Sequence, residues 1–455
     1  MEAVVPATLR RSPDGDAPPF SPYATHVPAL DPYGYVEEEW IATGEEDGHA
    51  YATTVLVRRP RDPARFSGTV IAEPLHVHGI APIWIYTAPY ILRSGHAWVE
   101  ITAQKTTLDL HVKASGPERY GSLRIEGPDS ADFDLNANLG NRERSKTFFA
   151  ELVRRNRATS AILAQVGAAL RSPDGPFAGT SEGAGTAVDR IVLAGHSQTG
   201  YVTTAYIGDT HAVRRLPDGS PVYDGFFPSG FPLGPFHDVD VPVVQVMSDG
   251  DVSVPDYSFV PGYEGRGYRR EDSDGPGDRF RLYELAGVPH MGTRQAPYSD
   301  ASLWKANYAN DNVSFGPRMN SLPHFELFSM GLHHLVEWVA NGTVPPRAGR
   351  LEVGPDGRFA KDEHGNTRGG VRTAQLDVPH STYLPNPTRP DGTSSHLTVG
   401  SDEPFDAATL RKLYGDSAGY LQRFEARLDQ LIAEGWLLAD DAEDLRREAR
   451  ELEIP

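Results

Sequence analysis

The chain reads as an α/β protein: a mostly parallel central sheet flanked by helices, with cap insertions and a C-terminal helical extension. Three observations predict this. Short runs rich in Val, Ile and Leu recur between stretches of helical periodicity, the pattern of strands buried on both faces. One of them, Val188-Asp-Arg-Ile-Val-Leu-Ala-Gly-His-Ser-Gln-Thr-Gly200, ends abruptly in a small-residue turn and passes into a helix. Two later runs, 241–247 and 280–286, each end in residues able to carry chemistry.

Taken in order, residues 1–45, rich in Pro, Gly and Tyr, are expected to wrap the surface as an entry segment. Residues 51–59, 68–75 and 96–103 read as the first strands. The polar stretch 106–144 is too long for a plain connection and is expected to act as a cap. Residues 145–170 read as a helix with Ala158, Ile162, Leu163, Val166 and Leu170 on one face. Residues 223–227 follow as a strand, 256–279 as an aperiodic insertion, and 324–341 as the last helix of a core spanning 46–345. The extension 346–455 is expected to begin with a hairpin at 351–358. It ends in an αα-hairpin whose stripe of Leu410, Leu413, Leu421, Phe424, Leu428 and Leu431 must be covered. Packing back on the core, bracing the cap, is the expected solution.

Composition sets outer bounds. With 455 residues and 39% hydrophobic content the chain has ample material for a core. A net charge of −19 disfavours nucleic acid and anionic membrane as partners. No apolar run approaches the roughly 20 residues of a membrane helix, and Met1–Phe20 shows no secretory signal, so the expected location is cytoplasmic. The absence of cysteine excludes disulfides, thiol catalysis and Cys-ligated zinc.

The segment Gly195-His196-Ser197-Gln198 has the form of a nucleophile elbow, in which a sharp turn between strand and helix lifts a serine hydroxyl above the sheet. The last glycine of G-x-S-x-G is displaced: Thr199 stands in its place and Gly200 follows. The competing reading is an ordinary turn with a capping serine. A serine is a weak nucleophile until a base takes its proton and a carboxylate orients that base. The run 241–247 delivers Ser248-Asp249-Gly250-Asp251, and 280–286 delivers Gly287-Val288-Pro289-His290. Ser197, Asp251 and His290 thus follow successive strands in the order such sites require. Asp251 is preferred to Asp249, which with Gly250 suits the turn itself. Taken singly, Asp251 could be a turn residue and His290 a loop residue among 16 histidines.

An oxyanion hole is the second requirement. One donor is expected from the backbone N–H of Gln198, the other from Leu75, His76, Val77 or His78 after the strand at 68–75. Trp84, Tyr86, Phe226, Phe227 and Phe231 lie near enough in sequence to line an apolar, roomy pocket, although some would equally serve the core.

These segments resemble the bacterial alpha/beta hydrolase domain family, within the α/β-hydrolase superfamily, whose members carry Gly-x-Ser-Gln near mid-chain. Phe66–Ile71, Ala97–Gln104, Pro117–Leu123, Glu337–Arg347 and Asp362–Arg372 are also similar to it, so the resemblance covers residues 45 to 450. It implies an α/β-hydrolase fold and hydrolytic chemistry, without a fixed substrate. His196, Thr199, Gly200 and the His76-Val77-His78 loop depart from the pattern.

The expected function is therefore a serine hydrolase cleaving a carboxylic ester or lactone of a hydrophobic or aromatic small molecule through an acyl-enzyme. No cofactor and no metal are expected, and the chain is expected to be a monomer or homodimer. An acyltransferase or cyclase could use the same three residues. A metal-dependent hydrolase could use His76 and His78 but lacks an evident third ligand. A binding protein on an inactive scaffold would have no need of all three catalytic residue types.

Overall fold

The computed structural model describes residues 2–12, 19–20, 28–127, 157–178, 188–253, 266–292, 319–386 and 400–454. The chain divides into two compact units, one of residues 1–245, 258–280 and 335–343, the other of 246–257, 281–334 and 344–455.

In the first unit Thr8–Arg11, Tyr35–Glu46, His49–Pro60 and Ala97–Ile101 pair antiparallel in that order. From Ala97–Ile101 the sheet continues in parallel through Thr69–Pro74, Arg190–His196 and Gly225–Ser229. All four parallel strands are buried almost throughout, which is why they read as unbroken apolar runs. The helices Pro82–Arg93 and Gln198–Ala205 pack against them. The parallel strands deliver Leu75, Thr102, Ser197 and Gly230 to one edge of the sheet, where α/β folds place ligands.

Part of the segment 1–45, expected to wrap the surface as an entry segment, is instead regular strand. Tyr35–Glu46 pairs along all of its 12 residues with His49–Pro60. The two-residue turn between them, Asp47-Gly48, has φ of 50° and 78°, the left-handed geometry that matches strand twist. Of the insertion 106–144, Leu108–Val112 and Pro117–Tyr120 are helical and Arg124–Ile125 pairs with Tyr51–Ala52. Residues 128–144 and the first part of the helix expected at 145–170 lie outside the described residues. The end of the 256–279 insertion is also ordered pairing, Ser273–Gly275 against Asp278–Phe280.

One buried polar cluster underlies this sheet edge. Glu73 accepts hydrogen bonds from Ile83 N–H (2.7 Å), Trp84 N–H (3.0 Å) and Trp98 Nε1–H (3.0 Å). The Arg58 guanidinium lies over the Trp84 and Trp98 rings and pairs with Glu37 at 2.8 Å. Burial pushes the Glu73 carboxyl up to about 8, against the pull of those donors and of Arg58. The neighbouring Glu100 is raised too, again chiefly by burial. An unfolded glutamate ionises near about 4.3. Between that value and about 8 the unfolded chain releases a proton that folded Glu73 retains. Glu73 therefore costs nothing at low pH and erodes stability as pH rises through that window. Thermal denaturation at about pH 5 and about pH 8.5 should show a smaller loss for Glu73→Gln than for the native chain; equal losses would contradict this.

In the second unit, residues 351–371 form a succession of single bridges, Leu351 with Gly369, Val353 with Phe359, Lys361 with Thr367 and Leu285 with Val371. The C-terminal helices are Ala407–Tyr414, Ser417–Glu434 and Ala439–Glu451. The first two were expected as one. Gly415, at φ 82°, ends the first, and the Asp416 carboxylate caps the next by accepting from Gly419 N–H at 2.8 Å. The apolar stripe is covered close at hand. Leu410, Tyr420, Phe424, Leu428 and Leu431 cluster with Ala442, Leu445 and Ala449 of the last helix and with Ala374 and Val378, while Leu413 and Leu421 are partly buried at its rim. Tyr414 also donates to Pro379 O at 2.7 Å. A chain truncated before Pro404 uncovers Ala374 and Val378 and should show a lower melting temperature and concentration-dependent aggregation. Unchanged melting and activity would make the helices an independent appendage. No helix among the described residues is long and apolar enough to cross a membrane.

Candidate active site

Ser197 lies in the first unit, between the strand ending at His196 and the helix starting at Gln198, with φ 59° and ψ −125°. This is a costly conformation for a residue with a Cβ, kept only where the surroundings over-determine it. Here Ser197 N–H donates to Ser229 O at 3.0 Å, and Tyr201 N–H donates to Ser197 O at 3.0 Å. Ser229 Oγ reaches Gly195 O at 2.9 Å and lies 3.2 Å from His196 Nδ1. The displaced glycine of the motif has a steric reason. A Cβ on Gly200 would sit 2.0 Å from Ser229 O, and one on Gly195 would sit 2.2 Å from Thr199 O. Thr199 itself is tolerated because its hydroxyl closes the turn, accepting from His196 N–H at 3.0 Å and donating to His196 O at 2.9 Å.

Around the expected oxyanion donors, the backbone N–H groups of Leu75 and His76 are spent on Ile101 O and Ile80 O at 2.9 and 3.0 Å. Those two are therefore removed from the expected set. His78 N–H bonds to His76 Nδ1 at 3.1 Å, and Val77 N–H meets Gln198 Oε1 at only 3.4 Å. A residue that had no role in the sequence reading organises this region. Gln104 Nε2 donates to Leu75 O (3.1 Å) and Gln198 Oε1 (3.2 Å), and Gln198 Nε2 returns a bond to Gln104 Oε1 at 2.7 Å. The buried amide pair ties the elbow to the loops after two neighbouring strands. The motif Ile101-Thr-Ala-Gln104 contains the signal, but only the fold supplies the partner.

Of the five aromatic residues expected at the pocket, Tyr86 meets the His196 ring edge-on at 5.3 Å and Phe231 meets Tyr201 at 5.4 Å. Phe227 is fully buried on its strand. Two are corrected to core residues: Trp84 is packed on Arg58 and Trp98, and Phe226 sits among Tyr206, His211 and Tyr223. Alternation along a strand shows that faces differ but not which face meets a pocket.

The second unit carries the candidate acid and base. Asp251 is fully buried in a short helical turn, Asp249–Val252, closed by a reciprocal cap. Ser248 N–H donates to Asp251 Oδ2 at 2.7 Å, and Asp251 N–H donates to Ser248 Oγ at 3.1 Å. Asp251 Oδ1 is thereby aimed at His290 Nδ1, with which it forms a hydrogen bond. Asp249 points elsewhere, to Gly287 N–H at 3.1 Å and to the Thr367 hydroxyl. Burial holds its carboxyl above the usual aspartate range, opposed by Lys361 and those donors. His324, stacked on Phe328 at 4.6 Å, is driven down to about 3 by burial and by its proximity to His290, and so stays neutral. The rings of His76 and His78 lie 4.9 Å apart. No group of three or more His, Cys, Asp or Glu side chains among the described residues is placed to share a metal ion.

Comparison with known proteins adds a family-level match. The sequence model of the family described as alpha/beta hydrolase domain matches residues 9–447. Among solved structures, an acetyl xylan esterase from Paenibacillus sp. R4 has 11% identity over 67% of this chain and 89% of its own, at a TM-score of 0.32. Est1E from Butyrivibrio proteoclasticus has 11% identity over 59% of this chain and 96% of its own, at 0.29. A poly(3-hydroxybutyrate) depolymerase, LpqC from Bordetella parapertussis, has 11% identity over 69% and 91%, at 0.28. Likenesses this distant carry no argument about substrate. No curated protein matches the chain.

Proposed function

Because the chain belongs to the alpha/beta hydrolase domain family, we propose that it cleaves a carboxylic ester or lactone of a hydrophobic or aromatic small molecule through an acyl-enzyme. The observation that carries this reading is the backbone of Ser197. A left-handed φ of 59° at a non-glycine residue between a buried strand and a helix costs free energy and has a chemical use, which is to present a hydroxyl for attack.

In this mechanism Ser197 Oγ attacks the ester carbonyl while His290 Nε2 takes its proton. The tetrahedral intermediate collapses, His290 protonates the departing alkoxide, and an acyl-serine remains. Water, deprotonated by the same imidazole, releases the acid and restores the serine. Asp251 keeps the proton on Nδ1 and stabilises the imidazolium, a role its bond to His290 supports. Gln198 N–H and Val77 N–H are the proposed oxyanion donors. The long contact of Val77 with a side-chain oxygen is the one a developing oxyanion most readily replaces.

A fluorophosphonate probe should label the native protein at Ser197 and leave Ser197→Ala unlabelled; labelling elsewhere or none at all would overturn the reading. A panel of esters should favour bulky hydrophobic or aromatic groups over acetates of small alcohols, as Tyr86 and Phe231 beside elbow residues suggest. A preference for small or charged esters would reject that substrate class. Added alcohol acceptors in the same assay would expose acyl transfer.

A further inference from the structure

We propose that Thr367, in the C-terminal part of the chain, is a positioning residue for the Asp251–His290 pair, with Lys361 as its support and Asn386 as a second, parallel strut. This inference rests on the role proposed for that pair and concerns how the pair is held in place.

The loop around Thr367 is prefolded by its own polar groups. Asp362 Oδ1 accepts from His364 N–H and Asn366 N–H, both at 2.9 Å, and Asp362 N–H donates to Asn366 O at 2.8 Å. Arg372 clasps the loop from the other side through Asp362 and Thr367 O and bonds to Asp377 at 2.6 Å. Fully buried Asn366 pins the loop to a strand, donating to Ser381 O at 3.2 Å and accepting from Tyr383 N–H at 2.8 Å. This stretch was among the family-like segments of the sequence and had no assigned task.

Its product is one buried hydroxyl with a fixed direction. Lys361 Nζ donates to Thr367 Oγ1 at 2.7 Å, so the threonine proton is directed onward to Asp249 Oδ2. The same carboxylate oxygen receives Gly287 N–H, three residues before His290. Asp249 therefore joins three things: the turn that carries Asp251, the loop that carries His290, and the C-terminal loop. A second strut is parallel to the first. Asn386 Nδ2 donates to Gly250 O at 3.1 Å and to Ser253 Oγ at 2.8 Å, gripping the same turn on either side of Asp251. The turn and the histidine loop are also bonded directly, Gly250 N–H to Val288 O at 2.9 Å. With both ends of the acid turn held, Asp251 Oδ1 has little freedom except toward His290. Small displacements of such a pair are costly in rate.

Thr367→Val keeps the shape of the side chain and removes the proton directed at Asp249. In the full-length protein it should lower kcat on a cleaved ester roughly tenfold with little change in KM. It should also shift or broaden the far-downfield proton resonance of the His290–Asp251 hydrogen bond. Thr367→Ser should restore both, and Asn386→Ala should reproduce the effect if Thr367→Val fails to fold. The inference is overturned if Thr367→Val leaves kcat and the resonance unchanged, or if activity falls only with the folded fraction while the resonance stays in place. The resonance reports on the pair without any substrate. Failure of this inference is thus separable from failure of the proposed function, which Ser197→Ala tests.

Discussion

Ser197→Ala should lower ester turnover by about 10⁶, the loss seen when the nucleophile of a comparable triad is removed. The side chain is small and its turn is fixed by backbone bonds from Ser197 N–H and to Ser197 O, neither of which uses the hydroxyl. The variant should therefore fold with an unchanged melting temperature and bind substrate with a similar affinity. A variant that keeps more than about one hundredth of native turnover, with burst kinetics intact, would show that another group attacks and that the elbow serves only as a turn. Stopped-flow measurement of the acyl-enzyme burst, alongside steady-state turnover, distinguishes the two.

Asp251→Asn should cost about 10⁴ in turnover, and the cap geometry says why. Ser248 N–H donates to one carboxylate oxygen of Asp251 and His290 Nδ1 meets the other. An asparagine would keep its oxygen on Ser248 N–H, because that group can only donate. Its amide NH₂ would then face His290 and push the imidazole proton onto Nε2, the atom that must accept a proton from serine. The variant should fold normally and hold the wrong tautomer. Asp249→Asn, which does not touch His290, should cost far less. The opposite ordering, measured as kcat/KM on one ester, would assign the acid to Asp249.

The candidate residues were legible in the sequence because each belongs to a local pattern. A strand, a sharp turn and a helix need only neighbouring residues to be recognised, and Ser197, Asp251 and His290 all stand immediately after such strands. The choice between Asp249 and Asp251 rested on local spacing as well, and the structure bonds Asp251, not Asp249, to His290. Less was legible at the start of the chain. Tyr35–Glu46 carries acidic residues at positions that pair across strands, and the hairpin it forms about Asp47-Gly48 was not read from the sequence. The pocket was over-read because Trp84 and Phe226 are as apolar as any lining residue. Their burial is decided by an arginine and by aromatic rings distant in sequence.

By itself the sequence determined the α/β class, the buried strands of the parallel sheet and the candidate residues Ser197, Asp251 and His290, since all of these follow from periodicity and short-range stereochemistry. Tertiary structure alone decided which groups face one another. It matched Gln104 with Gln198, spent the N–H groups of Leu75 and His76 on backbone carbonyls, and covered the C-terminal stripe with Ala374, Val378 and the last helix. It also brought Thr367 to Asp249 across 118 residues. Hydrogen bonds and buried contacts act over a few ångströms whatever the separation along the chain, so their partners are set by the folded path and not by spacing in the sequence.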